Sequence, residues 1–231
     1  DMGDSGVLTF AGDGGSSVLD AVDDVTPNAG EEAWADVTGA SAAPGGVAGN
    51  NMFLYENSSL MDGMTLSAAY QPSNGTVDVE SSTDFGIKYT GIDGLTVGAG
   101  MGEDNGEGSG DAKDVTAFNV TYAIDAITVG WSTYENDTNS SPNSTAGATR
   151  VGDDTLTAVG ISYAVSDDLT VSLNSSETEL EGLKDQEATS ISASLVVGSM
   201  TLSANHNSVE NVGGTEGKDR SGYALGLSFA F

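Results

Sequence analysis

Seven carboxylates are grouped in one long stretch near the start of the chain, residues 12–50. The stretch is rich in Gly, Ala and Ser and lacks the alternation expected of a β-strand. Grouped carboxylates lower the energy of a nearby cation, most strongly where they are confined and partly dehydrated, so they favour cations over anions. Solvated loop carboxylates without a special role are the alternative. The seven residues are Asp13, Asp20, Asp23, Asp24, Glu31, Glu32 and Asp36.

A second acidic tract, residues 103–114 with the sequence EDNGEGSGDAKD, carries enough oxygen ligands to bind Ca²⁺ loosely through Glu103, Asp104 and Asp111. It lacks the spacing of an EF-hand, which favours a solvated loop. We therefore expect no cofactor, with loosely bound Ca²⁺ as the one candidate.

Catalytic chemistry has little support in the sequence. His206 is the single histidine, the chain has no cysteine, and serine-nucleophile motifs, phosphate loops and zinc-ligand spacings are absent. The sequence therefore predicts that the protein is not an enzyme.

Composition narrows the class of protein further. The 231 residues carry a net charge of -29, which argues against nucleic acid as a partner, although acidity can also be an adaptation to salty water. No apolar run reaches the roughly 18 residues of a transmembrane helix. A transmembrane barrel strand needs only about ten alternating residues, so the composition is compatible with a membrane β-barrel.

The last eleven residues, SGYALGLSFAF, alternate large apolar side chains with small ones. Because successive side chains in a strand point to opposite faces, one face meets lipid well and the other suits a lumen. We predict eleven such strands near residues 51–58, 62–72, 83–92, 94–103, 115–125, 126–136, 154–166, 168–178, 187–198, 199–209 and 219–231, and a short one at 6–11.

The connections between these strands alternate between tight turns and long polar loops. Turns such as Asp93 with Gly94 and Asp125 with Ala126 alternate with loops near 73–83, 104–114, 136–153, 179–187 and 210–219. Short turns at one end and long loops at the other are typical of an outer-membrane barrel. The prediction is an all-β, antiparallel transmembrane β-barrel of about twelve strands, forming a single domain over residues 1–231.

The segments SLMDGMTLSAAYQPS and FGIKYTGIDGLTVGAGMGED, together with the ending YALGLSFAF, resemble the general porins of Gram-negative bacteria. The resemblance implies a trimeric barrel of about 16 strands in the outer membrane, with residues 12–50 as a constriction loop folded into the lumen. It implies that this chain lacks the first four strands, while a closed barrel of twelve is the alternative.

The resemblance also implies a function and a set of positions. We expect a passive, cation-preferring diffusion channel for ions and small hydrophilic solutes, in contact with the bilayer and lipopolysaccharide. Lys88 and Asn119 are expected on the lumen wall. The aromatic girdle is expected at Tyr89, Tyr122, Trp131, Tyr163, Phe229 and Phe231.

Other readings lead to different outcomes in a membrane assay. A non-conducting barrel acting as an anchor, adhesin or receptor surface would insert without solute flux. A barrel enzyme would need a constellation that His206 alone does not supply. A secreted, soluble all-β protein would stay in solution without detergent.

Overall fold

The computed structural model describes residues 1–19, 22, 26–30, 32–42, 50–73, 81–104, 113–138 and 152–230. Short 3₁₀ turns occupy Gly3–Ser5 and Val212–Gly214. Within the described residues no helix is long and apolar enough to cross a membrane. The strands are β1 (Val7–Ala11), β2 (Met52–Asn57), β3 (Met64–Gln71), β4 (Ser82–Ile92), β5 (Leu95–Asp104), β6 (Lys113–Ile124), β7 (Ile127–Thr138), β8 (Asp154–Ala164), β9 (Leu169–Leu180), β10 (Gln186–Val197), β11 (Met200–Glu210) and β12 (Arg220–Phe229).

The twelve strands form one antiparallel sheet in which each strand pairs with its neighbours in sequence. The predicted meander is therefore confirmed, and the strand bounds agree with the prediction to within two residues. In the described part of the chain, β1 pairs only with β2 and β12 only with β11. Long connections all leave the sheet at the same end as residues 12–51, and tight turns lie at the other end.

The tight turns owe their geometry to residues that accept a positive φ. Gly94 has φ 73° between paired Ile92 and Leu95, and Asp125 has φ 51° between paired Ile124 and Ile127. Glycine is needed at the first of these turns for a second reason, because a Cβ there would lie 2.3 Å from the carbonyl oxygen of Ala123. The connection at Asp125 leads into an unbroken register of β6 and β7, whereas the register of β4 and β5 shifts once, between Tyr89 and Ile92.

The sheet has two unlike faces. We call the face that carries Phe85, Trp131 and Leu173 the outer face, and these side chains are 55%, 37% and 57% exposed. The opposite, inner face is partly covered by the described residues between 12 and 42, which we call the crossing segment. Three buried apolar clusters join the crossing segment to inner-face side chains.

Candidate functional site

The crossing segment lies across the strands on the inner face. Near its start, Val18 packs with Met52 and Ala69 of β2 and β3. Leu19 and Val22 then pack against β6, β7 and β8, in a cluster with Val115, Ala117, Tyr134, Leu156 and Ala158. Burial of these side chains removes apolar surface from water, so this part of the segment is held by the same forces as a hydrophobic core.

The later part of the segment reaches the last strands of the sheet. Its residues Ala33 and Val37 pack with buried side chains of β10 and β11 and with Val212 in the connection that follows β11. Near the end of the segment, the guanidinium of Arg220 at the start of β12 donates to the carbonyl oxygen of Thr38 at 2.7 Å. The crossing segment therefore spans the inner face from β2 to β12.

Glycines on the inner face let the segment lie close to the strands. A Cβ at Gly86 would lie 2.3 Å from Val18 Cγ1, and one at Gly130 would lie 2.3 Å from Pro27 Cδ. A Cβ added at Gly100, Gly160 or Gly222 would likewise lie 2.5–2.9 Å from an atom of the segment. These five glycines leave room on the wall for the path of the segment.

Neutral side chains of the wall hold the backbone of the segment. Asn119 Nδ2 and the Tyr134 hydroxyl donate to the carbonyl oxygen of Val22 at 2.9 and 3.3 Å. The amide of Gln186 exchanges two hydrogen bonds with the backbone of Ser41, at 2.8 and 3.0 Å. Because a buried amide or carbonyl without a partner is costly, these pairs satisfy backbone groups that the crossing segment would otherwise bury unpaired.

Three of the seven predicted constriction carboxylates fall in the described residues. Asp13 and Asp36 are exposed, whereas Glu32 is partly buried and accepts a hydrogen bond from Asn28 Nδ2 at 3.1 Å. Asp36 accepts one from Asn205 Nδ2 at 3.1 Å. The other four, Asp20, Asp23, Asp24 and Glu31, lie outside the described residues.

Both predicted lumen-wall residues lie on the inner face. Lys88 is exposed there, opposite Thr65 and Gly98. Asn119 is instead 2% exposed, because the crossing segment covers it. Asn119 therefore contacts the segment and does not line an open surface.

The predicted girdle residues lie on the outer face wherever they are described. Tyr122, Trp131, Tyr163 and Phe229 are exposed, and Tyr89 is partly exposed. The rings of Trp131 and Phe118 pack at 5.8 Å between centroids. Phe231 lies outside the described residues.

The residues considered for metal binding or catalysis are not grouped into a site among the described residues. Of the weak Ca²⁺ candidates, Glu103 is exposed on β5, the Asp104 side chain is not among the described ones, and Asp111 lies outside the described residues. Among the described residues no group of three or more His, Asp or Glu could hold a metal ion. His206 stacks on Tyr223 of the neighbouring strand, with ring centroids 4.3 Å apart. Calcium binding in the 103–114 tract stays a prediction.

Sequence reasoning missed most of the wall residues that hold the segment. Asn205, Asn207 and Gln186 were not singled out, nor was Arg220. The sequence contains a signal for these contacts. Near the long-loop ends of the strands, apolar residues such as Tyr134 and Leu156 occupy inner-face positions. Buried apolar side chains at such positions indicate that something covers the wall.

Comparison with known proteins supplies the family. The family model described as Gram-negative porin matches residues 3–187. The chain belongs to this family. It is a porin of the Gram-negative outer membrane, and the resemblance inferred from the sequence is confirmed. Porins are channels, so the family agrees with the expectation of a protein that is not an enzyme. A search of curated proteins finds no match to the sequence.

Solved structures show the same fold at low sequence identity. The anion-selective porin of Comamonas acidovorans is similar with a TM-score of 0.73 and 14% identity, over 99% of this chain and 75% of that one. A mutant porin of Rh. blastica is similar with a TM-score of 0.66 and 16% identity, over 97% of this chain and 73% of that one. The trimer form of OmpT from Vibrio cholerae is similar with a TM-score of 0.63 and 14% identity, over 97% of this chain and 77% of that one. The porin-type barrel fold is thereby confirmed.

Proposed function

We propose that this porin is a passive diffusion channel that prefers cations, and that the carboxylates of residues 12–50 set the preference. The observation that supports this is the acidic crossing segment itself. Residues 12–50 carry seven carboxylates and no lysine or arginine, and the crossing segment, which includes Asp13, Glu32 and Asp36, lies on the inner face of the sheet. Solutes crossing a barrel lumen pass along the inner face, so this charge stands beside their route.

The fold alone does not decide the sign of the selectivity, because one of the similar structures is an anion-selective porin. The preference must therefore come from the charges that this chain places along the lumen. A unit charge about 10 Å from a permeating ion changes its energy by roughly 0.4–1.7 kcal/mol for an effective dielectric constant between about 80 and 20. Removing one such charge shifts the permeability ratio by roughly twofold or more.

The test is the reversal potential of single channels in a planar bilayer under a KCl gradient. The parent protein should show open-channel steps and a cation-selective potential. The variant carrying Glu32→Gln and Asp36→Asn should move the potential toward that of a non-selective pore. The effect should weaken at high salt, where charges are screened over a few ångströms.

A matched control removes one charge far from the crossing segment. Asp167 is exposed in the tight connection between β8 and β9, so Asp167→Asn should leave the reversal potential nearly unchanged. An equal shift per removed charge in the two variants would reject the crossing segment as the origin of selectivity. Insertion without conductance would instead favour an anchor, adhesin or receptor barrel.

The partners proposed for this channel follow from its outer face. Exposed apolar side chains such as Phe118 and Ile161 present that face to the bilayer, and we extend the proposal to lipopolysaccharide in the outer leaflet. A homotrimer is proposed with support from the similar OmpT structure, which was solved in a trimer form. Cross-linking in detergent, with the mass of the complex as readout, tests the trimer.

A further inference from the structure

We propose that Asn205 and Asn207, consecutive inner-face residues of β11, position the carboxylates of Asp36 and Glu32 for cation selection. The inference rests on the proposed function. It adds the residues that hold the two charges in place, which are neutral and lie on a strand more than 160 positions away in sequence.

Asn207 fixes the turn that follows Glu32. Its side chain is 0% exposed, and its Nδ2 donates to the carbonyl oxygens of Glu32 at 3.1 Å and Ala35 at 2.5 Å. Ser190 on β10 donates to Asn207 Oδ1 at 2.7 Å, which sets the orientation of the amide. The backbone N–H of Ala35 closes the turn on the Glu32 carbonyl at 3.0 Å. Both amide hydrogens and the amide oxygen of Asn207 are therefore used.

Asn205 fixes the carboxylate at the end of the same turn. Its Nδ2 donates to Asp36 Oδ2 at 3.1 Å, and Asp36 is an exposed residue. Asp36 has φ 59°, in the left-handed region that aspartate and asparagine adopt more readily than other residues with a side chain. Its carbonyl lies against Gly222 of β12, where a Cβ would lie 2.7 Å from the oxygen.

The choice of amides on the wall has an electrostatic consequence. A lysine or arginine at either position could donate to the same acceptors, which are the Asp36 carboxylate for Asn205 and two backbone carbonyls for Asn207, but its positive charge would offset the negative field of the segment. An asparagine supplies the donors without a net charge. The two residues therefore fix the positions of the carboxylates and leave their negative charge to act on passing ions.

The experiment compares Asn207→Leu, Asn205→Leu and Ser190→Ala in the full-length chain, with the reversal potential under a KCl gradient as readout. Asn207→Leu removes three of the hydrogen bonds described above, and Asn205→Leu and Ser190→Ala remove one each, without altering the net charge. We expect the cation-to-anion permeability ratio to fall by roughly twofold or more for the asparagine variants, because electrostatic energy falls with distance from the displaced carboxylate. Ser190→Ala should give a smaller fall in the same direction.

The decisive measurement repeats these changes in the variant that already carries Glu32→Gln and Asp36→Asn. If the asparagines act through the carboxylates, they should have no further effect on the reversal potential there. An equal effect in both backgrounds would overturn the inference, since a general distortion of the wall acts with or without the charges. Ser203→Ala is the control, because Ser203 lies on the inner face of β11 opposite Gly226 and nearer to the tight turn than Asn205.

Failure of the inference is distinguishable from failure of the proposed function. If the parent channel is not cation-selective, the proposed function fails, and the inference fails with it. If the parent is cation-selective but Glu32→Gln with Asp36→Asn leaves its reversal potential unchanged, other carboxylates of residues 12–50 set the preference and only the inference is overturned. If that variant shifts the potential and the asparagine variants do not, only the inference is overturned. Ser190→Ala retains both asparagines, so the question stays decidable if a leucine variant does not fold.

Discussion

The inner face of the sheet combines two different environments. Toward the long-loop end, the crossing segment covers side chains such as Tyr134, Leu156 and Val209, which are 2%, 1% and 0% exposed. Toward the tight turns, the same parity carries Thr96, Ser162 and other small hydroxyl-bearing residues that are partly exposed. We call these the covered half and the open half of the inner face. One strand parity can therefore serve a hydrophobic core at one end and a polar surface at the other.

This difference shows where a path for solutes is compatible with the wall. In the covered half, atoms of the crossing segment lie so close to the strands that glycine is needed at five wall positions. Little room for solutes remains between the segment and the wall at these positions. The open half carries groups that water and small polar solutes can contact, including the exposed Lys88.

The largest expected effect comes from removing the segment that covers one half of the inner face. Replacing residues 12–50 with a short flexible linker should raise single-channel conductance several-fold, because the cross-section of the lumen near the covered half becomes free. The measurement is conductance in a planar bilayer, with heat-modifiable migration in gel electrophoresis as evidence that the barrel has folded. Unchanged conductance in the folded variant would contradict the constriction assignment.

The two halves should differ strongly in their sensitivity to truncation of one side chain. Leu156→Ala creates a cavity in the cluster formed with Leu19 and Val22, so it should destabilise the protein by about 2–5 kcal/mol. Thr170→Ala, in the open half on the neighbouring strand, should change stability by less than about 0.5 kcal/mol.

Both changes can be measured by urea unfolding of the protein in lipid vesicles, followed by tryptophan fluorescence. Trp34 packs on the same cluster as Leu156 and reports its loss. Similar stabilities of the two variants would show that the covered half contributes no core energy.

The strands could be predicted from the sequence because each obeys a local rule. Alternation of the kind seen at Phe85, Ile87 and Tyr89 is set by the lipid on one side of the wall, whatever the rest of the chain does. Turns such as Asp93 with Gly94 are also determined by a few adjacent residues. The porin fold therefore followed from short-range patterns and their order.

The contacts of the crossing segment could not be predicted in this way. Asn207 and Glu32 are 175 positions apart, and nothing local to either residue indicates the other. The segment has no periodicity, because its contacts fall on many different strands. Besides the apolar residues at inner-face positions, the glycines at matching inner positions of adjacent strands, such as Gly86 with Gly100 and Gly130 with Gly160, are a pattern that indicates its path.

A pair of glycines, one from each half of the inner face, tests the same difference between the halves with a smaller expected effect on stability. Gly130→Ala places a Cβ 2.3 Å from the ring of Pro27, a contact that a rigid proline cannot relieve by rotation. Overpacking of this kind costs about 1–3 kcal/mol, and the segment should shift away from β7. Gly226→Ala, in the open half, meets the hydroxyl of Ser203 at 2.4 Å, which rotates away at little cost.

Stability and conductance together separate two reasons for the glycines. If they exist to admit the crossing segment, Gly130→Ala should lower stability and alter conductance, and it should become nearly harmless once residues 12–50 are removed. Gly226→Ala should be nearly neutral in both backgrounds. A penalty for Gly130→Ala that persists without the segment would mean that glycine is needed there by the strands themselves, for their curvature or twist, and that the closeness of Pro27 is incidental.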